Sequence, residues 1–560
     1  MCESHRRVRN ALRSVQDRGD SIRQSGSVRV QLHIERSHEL GPHPDLAQLV
    51  AEELGWPLAR VRSARLTKRA LDARRGRPRP TWSFTIEAEL TQPPPKRAKA
   101  APVPAPAPQL SSPRRGPDRG PVAVVGAGPA GLFAALHLLE HGAKVRLVDR
   151  GKPVRQRARD FGRFRGKGEL NPESNLCFGE GGAGTYSDGK LTCRRKDPMR
   201  TQVLHRLVEF GGPAQILVDA KPHVGTNLLF RILESLHSHL ADRGVIFDWG
   251  SRVAGVQTRG GRVQGLRMAD GSTREAESVV MAMGHSARGL FESLHADGVP
   301  MQAKAFAVGV RIEHPQALVD DAQYRLRNRA RPETLPPADY RLAHTESERG
   351  IYSFCMCPGG MVVPTATEPE TVVVNGMSSA KRGSPFANSG LVVQVHPSDV
   401  AAQGHGEDPL AGLRFQRSLE RKAYALGGGG YRAPAVRIAD FVAGKSSGVL
   451  ANTHFRPGLT PADLDALFPS FVRDGLRAGI RRFDRQLSGY GSNEGNLIGV
   501  ESRTSSPLRI LRDESFQVPG FEGLYVAGEG PGYAGGIMSA ALDGLRVAHA
   551  LLSDGGGVRT

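Results

Sequence analysis

Gly126-Ala127-Gly128-Pro129-Ala130-Gly131 forms a G-x-G-x-x-G turn. The apolar run VAVV precedes it, the apolar stretch LFAALHLLEHG follows it, and Asp149 closes the next run, KVRLVD. Strand, glycine turn, helix, strand and acid in that order make a dinucleotide-binding pattern. Gly126 permits the tight turn, Gly128 lets backbone approach a pyrophosphate, and Gly131 lets helix and strand pack closely. The helix start offers unpaired N–H groups and positive dipole to phosphate. Asp149 is expected to accept hydrogen bonds from ribose hydroxyls. Arg150 and Arg157, which follow, are placed in the same cofactor-binding set.

A second glycine-rich stretch, FGEGGAGTYSDGKLTCRR from Phe178 to Arg195, has five glycines in its first twelve residues. Glycine loses the most backbone entropy on folding and packs nothing, so this run predicts close approach of backbone to something else. A third stretch, GLYVAGEGPGYAGGIMSAALDG, reads as strand, glycine loop and helix. In two-segment FAD sites such a late segment returns beside the first turn. Its acid, here Glu529, serves the ribityl or pyrophosphate region, and its helix start faces the flavin edge, where positive dipole stabilises the reduced ring. Gly528, Gly535, Gly536 and Ile537 belong to that expectation. A fourth piece, AESVVMAMGHSA, reads as a buried strand ending near Gly284.

These motifs need a scaffold. The chain has 560 residues, enough for two or three domains. The division expected is a polar tail at 1–27, a small basic α+β domain at 28–91 and a Pro/Ala-rich linker at 92–119. The first part of an FAD-binding domain follows at 120–289, an inserted substrate domain at 290–487, and the second part of the FAD-binding domain at 488–554. VRVQLHIE alternates as a strand, DLAQLVAEELG is a helix bounded by Asp45 and Gly55, and TWSFTIEAEL has period two. In the insert, MVVPTATEPETVVVNGMS reads as a hairpin, LVVQVHPSD as a strand, and Pro461–Leu487 as helical. The fold class is therefore α/β: a doubly wound, Rossmann-like FAD-binding domain carrying an inserted mixed sheet and a small N-terminal α+β domain.

The chain resembles a bacterial FAD-dependent dehydrogenase family marked by NLCFGEGGAGTYSDGKLT. Further matching stretches are SFCMCPGG, VVNGMSSAKR, ESRTSSPLRI, GEGPGYAGGIMSAALDG and, in the N-terminal domain, KRALDAR. The resemblance runs from about Val28 to the C-terminus. It implies FAD in a fold similar to the glutathione-reductase superfamily, with no particular substrate. It also implies that Gly181, Gly182, Gly184 and Thr185 wrap the pyrophosphate and flavin, with Ser187 within reach of either. Lys190 then faces the ring or the phosphates, or is a solvated loop cation.

For chemistry beyond the cofactor, Glu501 and Arg503 in ESRTSSPLRI are the candidates: a proton carrier and a bidentate clamp on a substrate carboxylate. The bland alternative is an Arg–Glu pair tying a loop to the FAD domain. His285 reads more readily as structural. Cys355-x-Cys357 lacks the usual redox-dithiol spacing, and Cys177 and Cys193 do not complete a zinc pattern, so buried free thiols and no metal are expected. No second G-x-G-x-x-G follows a strand, so electrons come from the substrate or from a transient NAD(P)H or other donor.

Five cysteines and no apolar leader suggest reduced thiols in the cytoplasm. The apolar run Pro121–Leu139 is better explained by the glycine turn than by a membrane span. Net charge is +20, and residues 1–120 hold 23 Lys+Arg against 12 Asp+Glu. A second reading follows: an FAD-containing, nucleic-acid-associated protein whose basic N-terminal domain binds RNA while FAD is structural or regulatory. A steep salt dependence of RNA binding would distinguish it. An FAD-dependent RNA modifier, an oxidase and a monooxygenase also stay open.

Overall fold

The computed structural model describes residues 27–74, 76–104, 120–193 and 197–553. The expected tail, most of the later linker and Cys2 lie outside these residues. The four strands before residue 102 fall in one compact unit and the chain from 120 onward in another.

In the first unit, period two does the work. Thr81–Leu90 buries every second side chain, Trp82, Phe84, Ile86, Ala88 and Leu90. It lies between Val61–Asp72 and Val28–Ser37, antiparallel to both. The helix Leu46–Leu54 joins this core through Leu49, Val50 and Leu54. Asp45 caps it by accepting from Gln48 N at 2.9 Å, and left-handed Gly55 ends it. The expected linker begins later than 92: Ala100–Ala101 adds a fourth, edge strand opposite Gln31 and Leu32. Two residues carry no periodicity, so sequence alone gave no sign of them.

In the second unit a parallel sheet runs Phe521–Val526, Ser278–Met281, Val122–Val125, Val145–Val148, Ile246–Asp248. Val122–Val125 is central: the chain proceeds outward on one side of it and later returns to the other. The crevice at its carboxyl end, where Gly126 begins, is the switch point at which such sheets bind ligands. The inner strands Val122–Val125 and Ser278–Met281 show no alternation because both their faces are buried. The helices Pro129–Glu140 and Ile537–Ser553 cover one face, and a Cβ on Gly544 would stand 2.0 Å from Ala130 O.

The insert is a seven-stranded mixed sheet in the order Ala343–Glu346, Arg349–Cys357, Phe386–Val395, Phe306–Pro315, Asn496–Glu501, Ala433–Arg437, Leu459–Pro461. Two short strands, Met301–Ala303 and Leu508–Ile510, pair antiparallel where the chain crosses between the two sheets. The insert thus lies between these crossovers instead of spanning 290–487. Asn496–Glu501 is buried at all six positions, so it lacked the alternation that marks a strand. The helix expected over Pro461–Leu487 is Ser470–Asp484 only: Leu459–Pro461 is a strand, and Pro469 sets the helix start. The hairpin Met361–Pro364 with Val374–Met377 forms as expected. Among the described residues no helix is long and apolar enough to cross a membrane.

Candidate functional site

The central strand delivers Gly126 in a left-handed conformation, φ +104, and a Cβ there would stand 2.7 Å from Ala282 O. A Cβ on Gly131 would stand 1.8 Å from Gly126 O, so the helix start lies flat on its own turn. Asp149 is buried, and its carboxylate is occupied by backbone: Oδ2 accepts from Ala127 N at 2.8 Å and Oδ1 from Gly151 N at 2.7 Å. The acid expected at a ribose therefore also fixes the glycine turn.

The second glycine run packs directly on the first. Gly181 N donates to Ala127 O at 2.7 Å, and a Cβ on Gly182 would come within 3.1 Å of Gly128 Cα. A Cβ on Gly184 would meet Ile537 Cγ1 at 2.8 Å. The third turn closes the group: a Cβ on Gly530 would lie 1.9 Å from Met283 O, and one on Gly528 2.9 Å from Ala130 Cβ. Four separated segments thus meet backbone to backbone. Where they leave room, the backbone is bare: at Gly284, Gly535 and Gly536 no protein atom stands within 4 Å of a Cβ position. That bare backbone, ending on the start of Ile537–Ser553, leaves the glycines open to a ligand.

Arg157, expected among the cofactor contacts, has another task. It is fully buried and donates to the carbonyls of Asn175 (2.7 Å), Glu180 (2.6 Å), Gly182 (2.8 Å) and Leu176, with Tyr186 under its guanidinium. Its donors are consumed by the loop, so it shapes the loop. Arg150 pairs with Glu173 at 2.8 Å and lies over Phe178. Thr185 is buried, 3.3 Å from Arg157 Nη1. Glu180, which the sequence reading passed over, caps Val154 N at 2.7 Å with one oxygen and meets His237 Nδ1 at 2.8 Å with the other. That hydrogen bond raises the His237 imidazole above its ordinary value. Asp543, also missed, accepts from Gly528 N at 2.8 Å and from Arg512, anchoring the third turn.

Glu529 stays at the bare glycines. Enclosure pushes its carboxyl up to about 7, against the hydrogen bond from Gly536 N and the charge of Lys304.

Each of the three residues considered for catalysis is engaged by partners within the protein. Lys190 donates to the Met356 carbonyl and lies 3.7 Å from Asp188, so it ties the glycine loop to the insert. Asp188 completes the tie through Ser378 Oγ at 2.6 Å and Arg382 Nε at 2.9 Å. Arg503 forms a two-pronged pair with buried Glu420, at 3.0 and 2.8 Å. Arg288 grips the same carboxylate at 2.8 and 2.6 Å. Arg503 has no free fork for a substrate carboxylate, and the tie to the FAD-side helix is made through Glu420, not Glu501. Glu501 faces Arg311 Nη1 at 3.3 Å, and burial raises its carboxyl while Arg311 opposes. His285 is held at about 4 by burial and by Arg503 and Arg288, so its imidazole is neutral.

The four described cysteines are free, and no metal-binding group of His, Cys, Asp or Glu occurs among the described residues. Cys357 is buried and takes an N–H from Arg311 at 3.4 Å, but Cys355 is exposed, contrary to the expectation of two buried thiols.

Residues 119–162 match the model of an FAD binding domain, and residues 305–504 match that of an FAD-dependent protein, C-terminal domain-like. With the switch-point crevice and its glycine turns, these make the protein an FAD-dependent enzyme of mixed α/β fold. An uncharacterized protein of Clostridium beijerinckii is 42% identical over 433 residues, 77% of this chain and 80% of that one. The chain belongs to the same family of FAD-dependent proteins. Among solved structures, CtdE in complex with FAD is 11% identical at TM-score 0.31, covering 78% of this chain and 87% of that one. Glycine oxidase from Geobacillus kaustophilus is 12% identical at TM-score 0.31, covering 78% and 93%. Likenesses of that size say nothing of the chemistry.

Proposed function

We propose that this protein is an oxidoreductase passing hydride between FAD and an organic substrate that enters beneath the inserted sheet. The observation that carries the reading is the meeting of the glycine turns around bare backbone at Gly284, Gly535 and Gly536. In this reading Gly126, Gly128, Pro129, Ala130 and Gly131 hold the diphosphate on the helix start. Gly181, Gly182, Gly184 and Thr185 close over it, with Asp149 and Arg157 setting the loops. Gly528, Glu529, Gly535, Gly536 and Ile537 hold the flavin end. FAD, when bound, supplies a two-electron acceptor and donor. The protein's part is to exclude water and to offer Glu529, whose carboxyl near 7 can hold or release a proton at neutral pH. Free thiols agree with a cytoplasmic setting.

The purified full chain is expected to show flavin absorbance. Failure to take up FAD on reconstitution would sink the proposal. Anaerobic NADPH then decides the direction: bleaching means a reductase with a transient donor site, and no bleaching makes the organic substrate the donor.

The Glu180–His237 pair adds a pH dependence. Because the imidazole is raised in the folded state, its contribution is complete below the ordinary histidine value and is lost as pH climbs through the raised one. FAD retention, followed by flavin fluorescence, is expected to fall in mild alkali, and His237→Phe to abolish that pH step.

A further inference from the structure

The crossover ladder places two cations on one face. Gln302 pairs with Arg509, and Lys304 N donates to Pro507 O at 2.9 Å, so the ladder runs one step further. Lys304 is two residues from Gln302 and shares its face, which makes Lys304 and Arg509 diagonal neighbours. The third glycine turn lies against the same ladder. Ile510 N donates to Pro531 O at 3.2 Å and Tyr533 Oη to Ile510 O at 2.9 Å. A Cβ on Gly532 would stand 3.2 Å from Arg509 Cβ. Arg509 lies over the Tyr533 ring, 5.2 Å from its centre, and its Nε is buried with no hydrogen-bond partner. Both side chains are half-buried, and among the described residues no carboxylate stands within 4.0 Å of either cation. The fully buried Arg157, Arg288 and Arg311 of this unit each have a carbonyl or carboxylate acceptor in place, although Arg288 shares the unpartnered Nε.

Two like charges brought together and partly desolvated, with Glu529 acting on Lys304 only from beyond 4.0 Å, are unfavourable unless an anion arrives. We infer that Lys304 and Arg509 form an oxyanion-binding site beside the Glu529–Gly536 turn, taking a carboxylate or phosphate oxygen. The reading rests on the proposed FAD site for its partner, which is either the carboxylate of an organic substrate or a phosphate of the cofactor. Lys304 supplies a point charge, and Arg509, held over Tyr533, supplies the oriented fork.

The test uses the full chain. Holoprotein is titrated with benzoate and followed by flavin absorbance. Flavin-free protein is titrated with FAD, riboflavin and benzoate by calorimetry. Lys304→Gln and Arg509→Gln are each expected to weaken one ligand by about tenfold, the order of a charge-assisted contact. Weaker benzoate with unchanged FAD assigns the site to a substrate carboxylate. Weaker FAD with unchanged riboflavin assigns it to a cofactor phosphate. Unchanged affinity for both benzoate and FAD in both variants overturns the site, as does a wild-type chain that binds neither. A chain that takes benzoate but no FAD would refute the proposed function and leave the oxyanion site standing. Lys304→Arg, with melting temperature measured alongside, should retain most of the affinity and so excludes a folding defect.

Discussion

Glu420→Gln is expected to destabilise the protein more than any other single exchange considered. The carboxylate is fully buried between Arg288 and Arg503 and also accepts from Ser502 Oγ at 2.7 Å. Removing its charge leaves two enclosed guanidinium groups with only Glu368, 3.5 Å from Arg288 and already held by Arg417, as a nearby anion, a change that costs about 3–5 kcal/mol. The urea midpoint should drop accordingly, and a variant of wild-type stability would show that water already compensates the pair. The two guanidinium groups hold the Glu420 carboxyl well below the usual carboxylate range. Because its folded value is depressed, its contribution is complete above the ordinary carboxylate value and is lost only as pH falls towards the depressed one. Acid unfolding should therefore begin later in the wild type than in a variant that lacks this carboxylate. Function should suffer with stability, since Arg503 Nη1 also reaches Ser286 Oγ at 3.1 Å and Thr367 Oγ1 at 2.8 Å. One carboxylate thus joins the FAD-side segment after Gly284 to the insert.

Arg157→Leu is the second large effect, and it separates cofactor retention from global folding. The guanidinium gathers four carbonyls of the Asn175–Gly182 loop, and leucine would leave them enclosed without donors. Each unsatisfied buried group costs about 1–3 kcal/mol, part of which the loop recovers by opening to water. The expected result is a loop that no longer lies on Gly128 and Ala127. FAD affinity should then fall by far more than the melting temperature, read by flavin release on dilution beside a thermal scan. Arg157→Lys should rescue little, because one ammonium cannot span that fan of acceptors. Equal losses in affinity and stability would mean that Arg157 supports the whole domain instead of the loop.

The glycine motifs were legible in sequence because their physics is local. Gly126 needs φ +104, Gly131 has no room for a Cβ, and neither requirement depends on a distant partner. Period two showed Thr81–Leu90, and Asp45 with Gly55 marked the helix Leu46–Leu54, for the same reason. The run from Phe178 to Arg195 announced a close approach, and the structure gives its first object: the backbone of the Gly126–Gly131 turn itself. The family resemblance led to FAD, and the matched FAD-binding domain agrees.

Partners far apart in the chain were not legible. Arg503 looked like a free fork until Glu420, 83 residues away, closed on it, and Lys190 looked solvated or cofactor-facing until Met356 and Asp188 held it. Asn496–Glu501 gave no alternation because both its faces are covered, so the insert's far boundary was hidden. Types and spacings of nearby residues fixed the turns, caps and half-buried strands, whose energies arise within a few residues. Only the tertiary structure decided which charges are paired inside the protein and which, as at Lys304 and Arg509, have no carboxylate within 4.0 Å among the described residues. That depends on the side chains which two crossing sheets bring together, and no local pattern records it.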